Sequence, residues 1–80
     1  MAPRDTLAIL TDVVARKARI DRSRIRPASR FVDFGIDSVR ATEIVVELET
    51  VLSISIPDED LMELETIEEI ARYLERRLGG

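Results

Sequence analysis

Apolar residues recur every three to four positions in three separate stretches of this chain, and that spacing constrains its fold more than any other feature. Leu7, Leu10, Val13, Val14 and Ala18 form one stripe; Ala41, Ile44, Val45, Leu48 and Val51 or Leu52 form a second; Ile67, Ile70, Ala71, Leu74 and Leu78 form a third. Residues three or four apart share one helix face, so each stretch predicts an amphipathic helix with one buried side. The expected spans are about 5–19, 38–52 and 66–78. Their ends carry suitable residues. Pro3 and Asp5 suit a helix start, and Arg16, Lys17 and Arg19 suit the negative end of the same helix. Thr66 and Glu69 stand at capping-box spacing, and Arg72, Arg76 and Arg77 crowd the end of the last helix, leaving Gly79 and Gly80 as a frayed tail.

Between these helices the pattern is different. Ile20 to Asp37 has no sustained period and predicts a long first loop, held to the core by Ile25, Phe31, Val32 and Phe34. Ser53-Ile54-Ser55-Ile56 alternates like a strand but has no partner strand, so it reads as an extended connector. Pro57 ends the connector. Asp58, Glu59 and Asp60 then open a short helix that includes Leu61, Met62 and Leu64. The expected fold is all-α: a four-helix bundle of three long helices and a short third one, forming a single domain over 1–80 with its ordered core at about 5–78.

Size and composition narrow the function. A chain of 80 residues buries a thin core and has no room for an enclosed substrate cavity, which points to a module that works with partners. Cysteine and histidine are both absent. The protein therefore has no disulfide, no thiol of its own, and neither the usual neutral-pH base nor the commonest metal ligand. Absence of disulfides fits a reducing cytoplasm. No apolar run approaches the roughly 20 residues that cross a bilayer, so no membrane role is expected. Charge is split along the chain. Residues 1–30 hold eight basic and three acidic side chains, a net of +5, whereas residues 31–80 hold four basic and thirteen acidic ones, a net of −9. The acidic half would repel phosphates, so nucleic acid is not an expected partner.

The segment Phe31-Val32-Asp33-Phe34-Gly35-Ile36-Asp37-Ser38-Val39-Arg40-Ala41 carries the candidate chemistry. Gly35 permits a sharp turn, and Asp37 and Ser38 fall at the start of the second helix. Unused backbone N–H groups and the helix dipole make that place hospitable to a phosphate ester. Local spacing alone favours a plainer role, an N-cap contributing about 0.5–2 kcal/mol. With no histidine or cysteine to activate it, Ser38 is not a hydrolase nucleophile.

The chain resembles the acyl carrier protein and peptidyl carrier protein family. The resemblance rests on Phe34-Gly35-Ile36-Asp37-Ser38-Val39 at the start of the second helix and on Glu43-Ile44-Val45-Val46-Glu47-Leu48-Glu49 behind it. It extends to Ile54-Ser55-Ile56-Pro57-Asp58-Glu59-Asp60, and to Thr66-Ile67-Glu68-Glu69-Ile70 with Tyr73-Leu74. The resemblance implies that a phosphopantetheinyl transferase attaches 4′-phosphopantetheine from coenzyme A to Ser38, with cargo held as a thioester on that arm. The chain is then a substrate for acyl-transferring, condensing and tailoring enzymes, not itself an enzyme, and a monomer is expected. Asp37, Val39, Arg40, Glu43 and Glu47 would form the partner-recognition surface, and Ile44, Val45, Ile56, Leu61 and Ala71 would line an acyl pocket or simply pack the core.

The sequence departs from the family pattern at three positions, and its arginine-rich first loop departs from the uniformly acidic type as well. Phe34 and Val39 stand where the family usually has leucine, or leucine or methionine. Arg40 stands where carriers of fatty-acid synthesis often have an acidic residue. It is expected to pair with the arm's phosphodiester and to weaken docking to partners built for a uniformly acidic helix. Phe31 with the Asp-Ser-x-x-Ala run is similar to carriers of polyketide assembly. A discrete carrier of polyketide or related specialised metabolism is therefore expected; fatty-acid carriage, aminoacyl or peptidyl carriage, and an unmodified helical interaction module are the alternatives.

Overall fold

A computed structural model describes the backbone of residues 4–79 and the side chains of 6–79. Helix α1 spans Arg4–Ala18, α2 spans Ser38–Leu52, α3 spans Asp58–Leu61 and α4 spans Ile67–Gly79. There is no strand among the described residues; one isolated antiparallel bridge joins Arg30 to Thr66. Pro3 and the Asp5 side chain, expected to start α1, lie outside the described residues. Gly79, expected to fray, closes α4 as its last helical residue.

Helix α1 packs against both α2 and α4. Its Leu10, Val13 and Val14 meet Ile44, Leu48 and Leu52 of α2 and Ile67, Ile70, Ala71 and Leu74 of α4 in one buried cluster, with Ile36 and Ile56 from the connections. The choice left open in the second stripe falls on Leu52, which is 7% exposed against 44% for Val51. The first stripe differs from its expected register. Thr6 is fully buried, whereas Leu7 is 38% exposed. Positions 6, 10, 13 and 14 lie one above another on a helix, so the face centred on Leu10 and Val14 takes Thr6 and puts Leu7 at its margin. Hydropathy conceals this because it counts threonine as polar. Its hydroxyl has no hydrogen-bond partner among the described residues.

The long loop is built from short backbone-satisfied pieces. Two 3₁₀ turns, Arg22–Arg24 and Phe31–Phe34, occupy it. The Asp21 carboxylate accepts from the Ser23 amide and hydroxyl at 2.8 Å each, which caps the first turn. The loop also supplies acceptors to α4: the Ile67 amide donates to the Ser29 carbonyl at 2.9 Å and the Glu68 amide to the Pro27 carbonyl at 2.8 Å. Those amides open a helix and have no intrahelical partner, so the loop satisfies them. The expected capping box is present beside them. The Glu69 amide donates to the Thr66 hydroxyl at 3.1 Å, and Glu69 Oε1 accepts from the Thr66 and Glu65 amides at 3.0 Å each.

The connector after α2 is extended and unpaired. Ser53 closes α2 in the left-handed region, at φ 56°. Glu49 then accepts the Ile56 amide on Oε2 at 2.7 Å and so ties the connector back to α2. Helix α3 is held to α4 by side chains, because the Tyr73 hydroxyl donates to Asp60 and accepts from Arg77. Burial of the phenol and the Asp60 hydrogen bond together raise the Tyr73 pKa.

Two stability measurements follow from this packing. Thr6→Val keeps the shape and removes the unpaired hydroxyl, so it is expected to raise unfolding stability by about 1–3 kcal/mol, read from the urea midpoint. The amides of Thr66 and then Glu65 hold the Glu69 carboxyl below the ordinary glutamate value. A lowered folded pKa stabilises fully above that ordinary value and loses its effect as pH falls through the folded one. Glu69→Gln is therefore expected to lower the urea midpoint at neutral pH, and its deficit is expected to shrink as the pH falls below about 4.

Candidate functional site

The start of α2 is assembled from the preceding turn. Phe31, Phe34 and Ile36 anchor this part of the loop on the core, whereas Val32, expected to anchor it too, is 71% exposed. Gly35 reverses the chain at φ 69°, and its amide donates to the Phe31 and Val32 carbonyls. A side chain at this position would meet nothing within 4 Å, so glycine is demanded by backbone conformation and not by crowding. Ile36 then turns inward, and its amide donates to the Phe31 carbonyl at 3.2 Å. Asp37 is the N-cap; its carboxylate accepts the Arg40 amide at 2.8 Å and its carbonyl accepts the Ala41 amide at 2.9 Å.

Ser38 is the first residue of α2 and is exposed, as is Val39. With the Arg40 amide taken by the cap, the Ser38 and Val39 amides remain as donors that the helix does not use. The serine hydroxyl therefore stands in solvent beside two outward amides at the positive end of a 15-residue helix. This donor set fits a phosphodiester on the hydroxyl.

The surrounding side chains fall into two groups. On one side, Arg40 reaches α1, donating from Nη1 to the Lys17 carbonyl while its Nε lies 3.3 Å from Glu43 Oε1. The Lys17 carbonyl belongs to the last turn of α1 and has no helical donor, so the guanidinium closes that helix. Arg40 is thus engaged within the protein rather than extended towards a phosphate. Glu47 is paired as well, with Arg16 at 3.4 Å. On the other side lies an open apolar groove of about 400 Å³ between the second 3₁₀ turn, α2, α3 and α4. Ala41 and Val45 of α2, Leu61 of α3 and Ile70 of α4 form its walls, with Arg30 and Glu65 at its polar edge. Thr42 lines it too, and its hydroxyl donates to the Ser38 carbonyl at 2.9 Å, so the groove begins one turn beyond Ser38 on the same helix.

A family model described as a phosphopantetheine attachment site matches residues 8–74. The chain is 35% identical over 72 residues to an acyl carrier protein of Helicobacter hepaticus, covering 89% of this chain and 95% of that one. It is 31% identical over 67 residues to acyl carrier proteins of Bdellovibrio bacteriovorus and Chlorobium phaeobacteroides, covering 82% of this chain and 86% of each relative. The chain belongs to the acyl carrier protein family. Its cofactor is 4′-phosphopantetheine, bound covalently.

Of the five residues expected around a carrier's acyl pocket, Val45 and Leu61 line the groove. Ile44, Ile56 and Ala71 lie in the buried cluster instead. On α2, Ile44 and Val45 are about 100° apart, so one faces α1 while its neighbour faces the groove. The sequence reading missed Ala41, Leu64 and Ile70 as groove residues, and Arg16 as the partner of Glu47. The i, i+4 pair of Ala41 and Val45 beside the Ile44 and Leu48 pair was the available signal for a second apolar face. No local signal linked Arg16 to Glu47, 31 residues away. Among the described residues no cluster fit for a metal ion occurs, and no helix is long and apolar enough to cross a membrane.

The Gly35 turn makes a further expectation measurable. Gly35→Ala is expected to destabilise the fold by about 1–2 kcal/mol, with Gly35→Asn milder, because the space is open and only the left-handed backbone is penalised. Denaturant midpoints of the three proteins check the ranking.

Proposed function

We propose that Ser38 is the attachment residue, and that the protein is a discrete acyl carrier of polyketide or related specialised-metabolite biosynthesis. It would work in the cytoplasm as the substrate of its partner enzymes rather than as a catalyst. The observation that carries the reading is the placement of an exposed serine as the first residue of α2, on a glycine turn and an aspartate cap, with the Ser38 and Val39 amides left over. When attached, the arm supplies the thiol that this cysteine-free chain lacks and on which cargo is held as a thioester.

The protein's own residues divide the remaining work. Asp37 and Gly35 fix the serine at the tip of the bundle, where a phosphopantetheinyl transferase could reach it. Val39, exposed beside it, offers the apolar contact of a docking surface, with Arg40, Glu43 and Glu47 around it. The groove walled by Val45 and Leu61 is a place for the cargo to rest between acyl-transferring, condensing and tailoring enzymes. Support for a specialised pathway comes from α2, where the carboxylates of Glu43 and Glu47 are paired with Arg40 and Arg16 instead of facing a partner free. Fatty-acid carriage is the second reading. The relatives' name favours it over aminoacyl or peptidyl cargo, since it specifies acyl carriage alone.

Incubation with coenzyme A and a broad-specificity phosphopantetheinyl transferase is expected to add the mass of one arm to the parent and none to Ser38→Ala, read by intact-protein mass spectrometry. The holo protein is then expected to accept malonyl-type groups from an acyltransferase and to gain no mass from an aminoacyl-adenylating enzyme. No mass gain would make the chain an unmodified helical module, and an equal gain in Ser38→Ala would put the arm on a residue other than Ser38.

A further inference from the structure

Three of the chain's cationic residues come together beside one end of α2 in the folded protein. Beside the start of α2 is a cleft of about 370 Å³ lined by Lys17, Ala18, Arg19, the Phe34–Asp37 turn and Arg40. Three cationic residues line it, at the end of α1 and the first turn of α2, against one carboxylate, Asp37, which accepts the Arg40 amide. Lys17 and Arg19 take part in no ion pair among the described residues, and Arg40 shares its charge with Glu43 alone. The cleft includes Asp37, directly before Ser38, and Arg40, two residues after it, so it lies on the α1 side of the serine.

The backbone at Arg19 points the same way. It closes α1 in the left-handed region at φ 58°, a position where glycine is free of strain and an arginine is not. The Ile20 amide and the Ala15 carbonyl complete the turn through a backbone hydrogen bond at 3.1 Å, to which the Arg19 side chain contributes nothing. Arg19 is one of the residues that line the cleft. Meanwhile the two α2 carboxylates nearest this end are already occupied: Glu43 pairs with Arg40 and Glu47 with Arg16.

We infer that this cleft is a docking surface for a partner enzyme that presents carboxylates, not guanidinium or ammonium groups, to the α1 side of the attachment serine. A partner built to place cations all around the start of α2 would set them against Lys17 and Arg19, where like charges repel. One with an acidic rim on that side would gain complementary pairs, and these act most on association and on partner choice. The inference rests on the carrier reading, since it concerns the enzymes that visit Ser38.

The test uses one acyltransferase in two versions, one with two arginines on its carrier-facing rim and one with both changed to glutamate. Each is assayed with the holo protein and with holo Lys17→Glu/Arg19→Glu, after mass spectrometry has shown that both carry the arm and circular dichroism that both fold alike. The parent is expected to favour the glutamate version by roughly five-fold in kcat/KM, and the double variant to favour the arginine version, with both preferences fading in high salt. Parent preference for the arginine version, or a preference that the double substitution leaves unchanged, would overturn the inference. A ³¹P resonance of the arm that shifts in the double variant while partner preference stays constant would also overturn it, by assigning the cleft to the arm's own phosphodiester. If neither protein gains the arm's mass, the carrier reading fails and takes the docking surface with it; failure of the preference alone leaves that reading intact.

Discussion

The structure depends on burial of one face of α1. Leu10, Val13 and Val14 are the apolar surface that α2 and α4 share, and neither of those helices could bury its stripe alone. At roughly 25 cal/mol per Å² of apolar surface, this shared burial is the main favourable term in so small a fold. It also fixes which sides of α2 and α4 face outward from α1, and the apolar groove is formed by residues on those remaining sides. Core and groove therefore come from the same two helices, with neighbouring residues such as Ile44 and Val45 serving one and the other.

Backbone satisfaction is the second constraint, and it explains how the long connection of residues 19–37 can be ordered. The loop gives two carbonyls to the first amides of α4 and takes its shape from two short turns, each secured by a carboxylate: Asp21 on Ser23, and Asp33 on the Arg30 amide at 2.9 Å. Every such bond replaces one with water, so the net gain from each is modest, but a buried donor without a partner would be much worse. The loop finishes with Gly35 and Asp37, so the order imposed at α4 and the core is passed along to the place where Ser38 begins a helix. Ser38 is held in place largely by contacts that its neighbours make.

Charge has a different part in this molecule. Its exposed pairs add little to stability, since solvent screens them. Their consequence is the surface presented around Ser38. Arg40 binds the end of α1 and pairs with Glu43, Arg16 is shared between Asp12 and Glu47, and Lys17 and Arg19 stand on that side with Asp37 and take part in no ion pair among the described residues. A chain whose summed charge is −4 thereby shows a partner a locally cationic flank.

Much of this was legible in the linear chain because it depends on short-range chemistry. Helix period is written in every third and fourth residue, the Thr66–Glu69 capping box spans four residues, and the Gly35-Ile36-Asp37-Ser38 turn needs only its own backbone rules. These features reveal an all-helical fold and a serine at a helix start. What only the tertiary structure decided involves residues far apart or a choice between adjacent faces. Thr6 rather than Leu7 is buried because the neighbouring helices set the centre of the α1 face. Val45 lines the groove while Ile44 fills the core because α1 lies on one side of α2 and α3 on the other. Arg40 ends on the Lys17 carbonyl because packing brings two helix ends together across 23 residues of sequence. Local rules act through neighbouring residues; these outcomes depended on which distant surfaces the chain brought into contact.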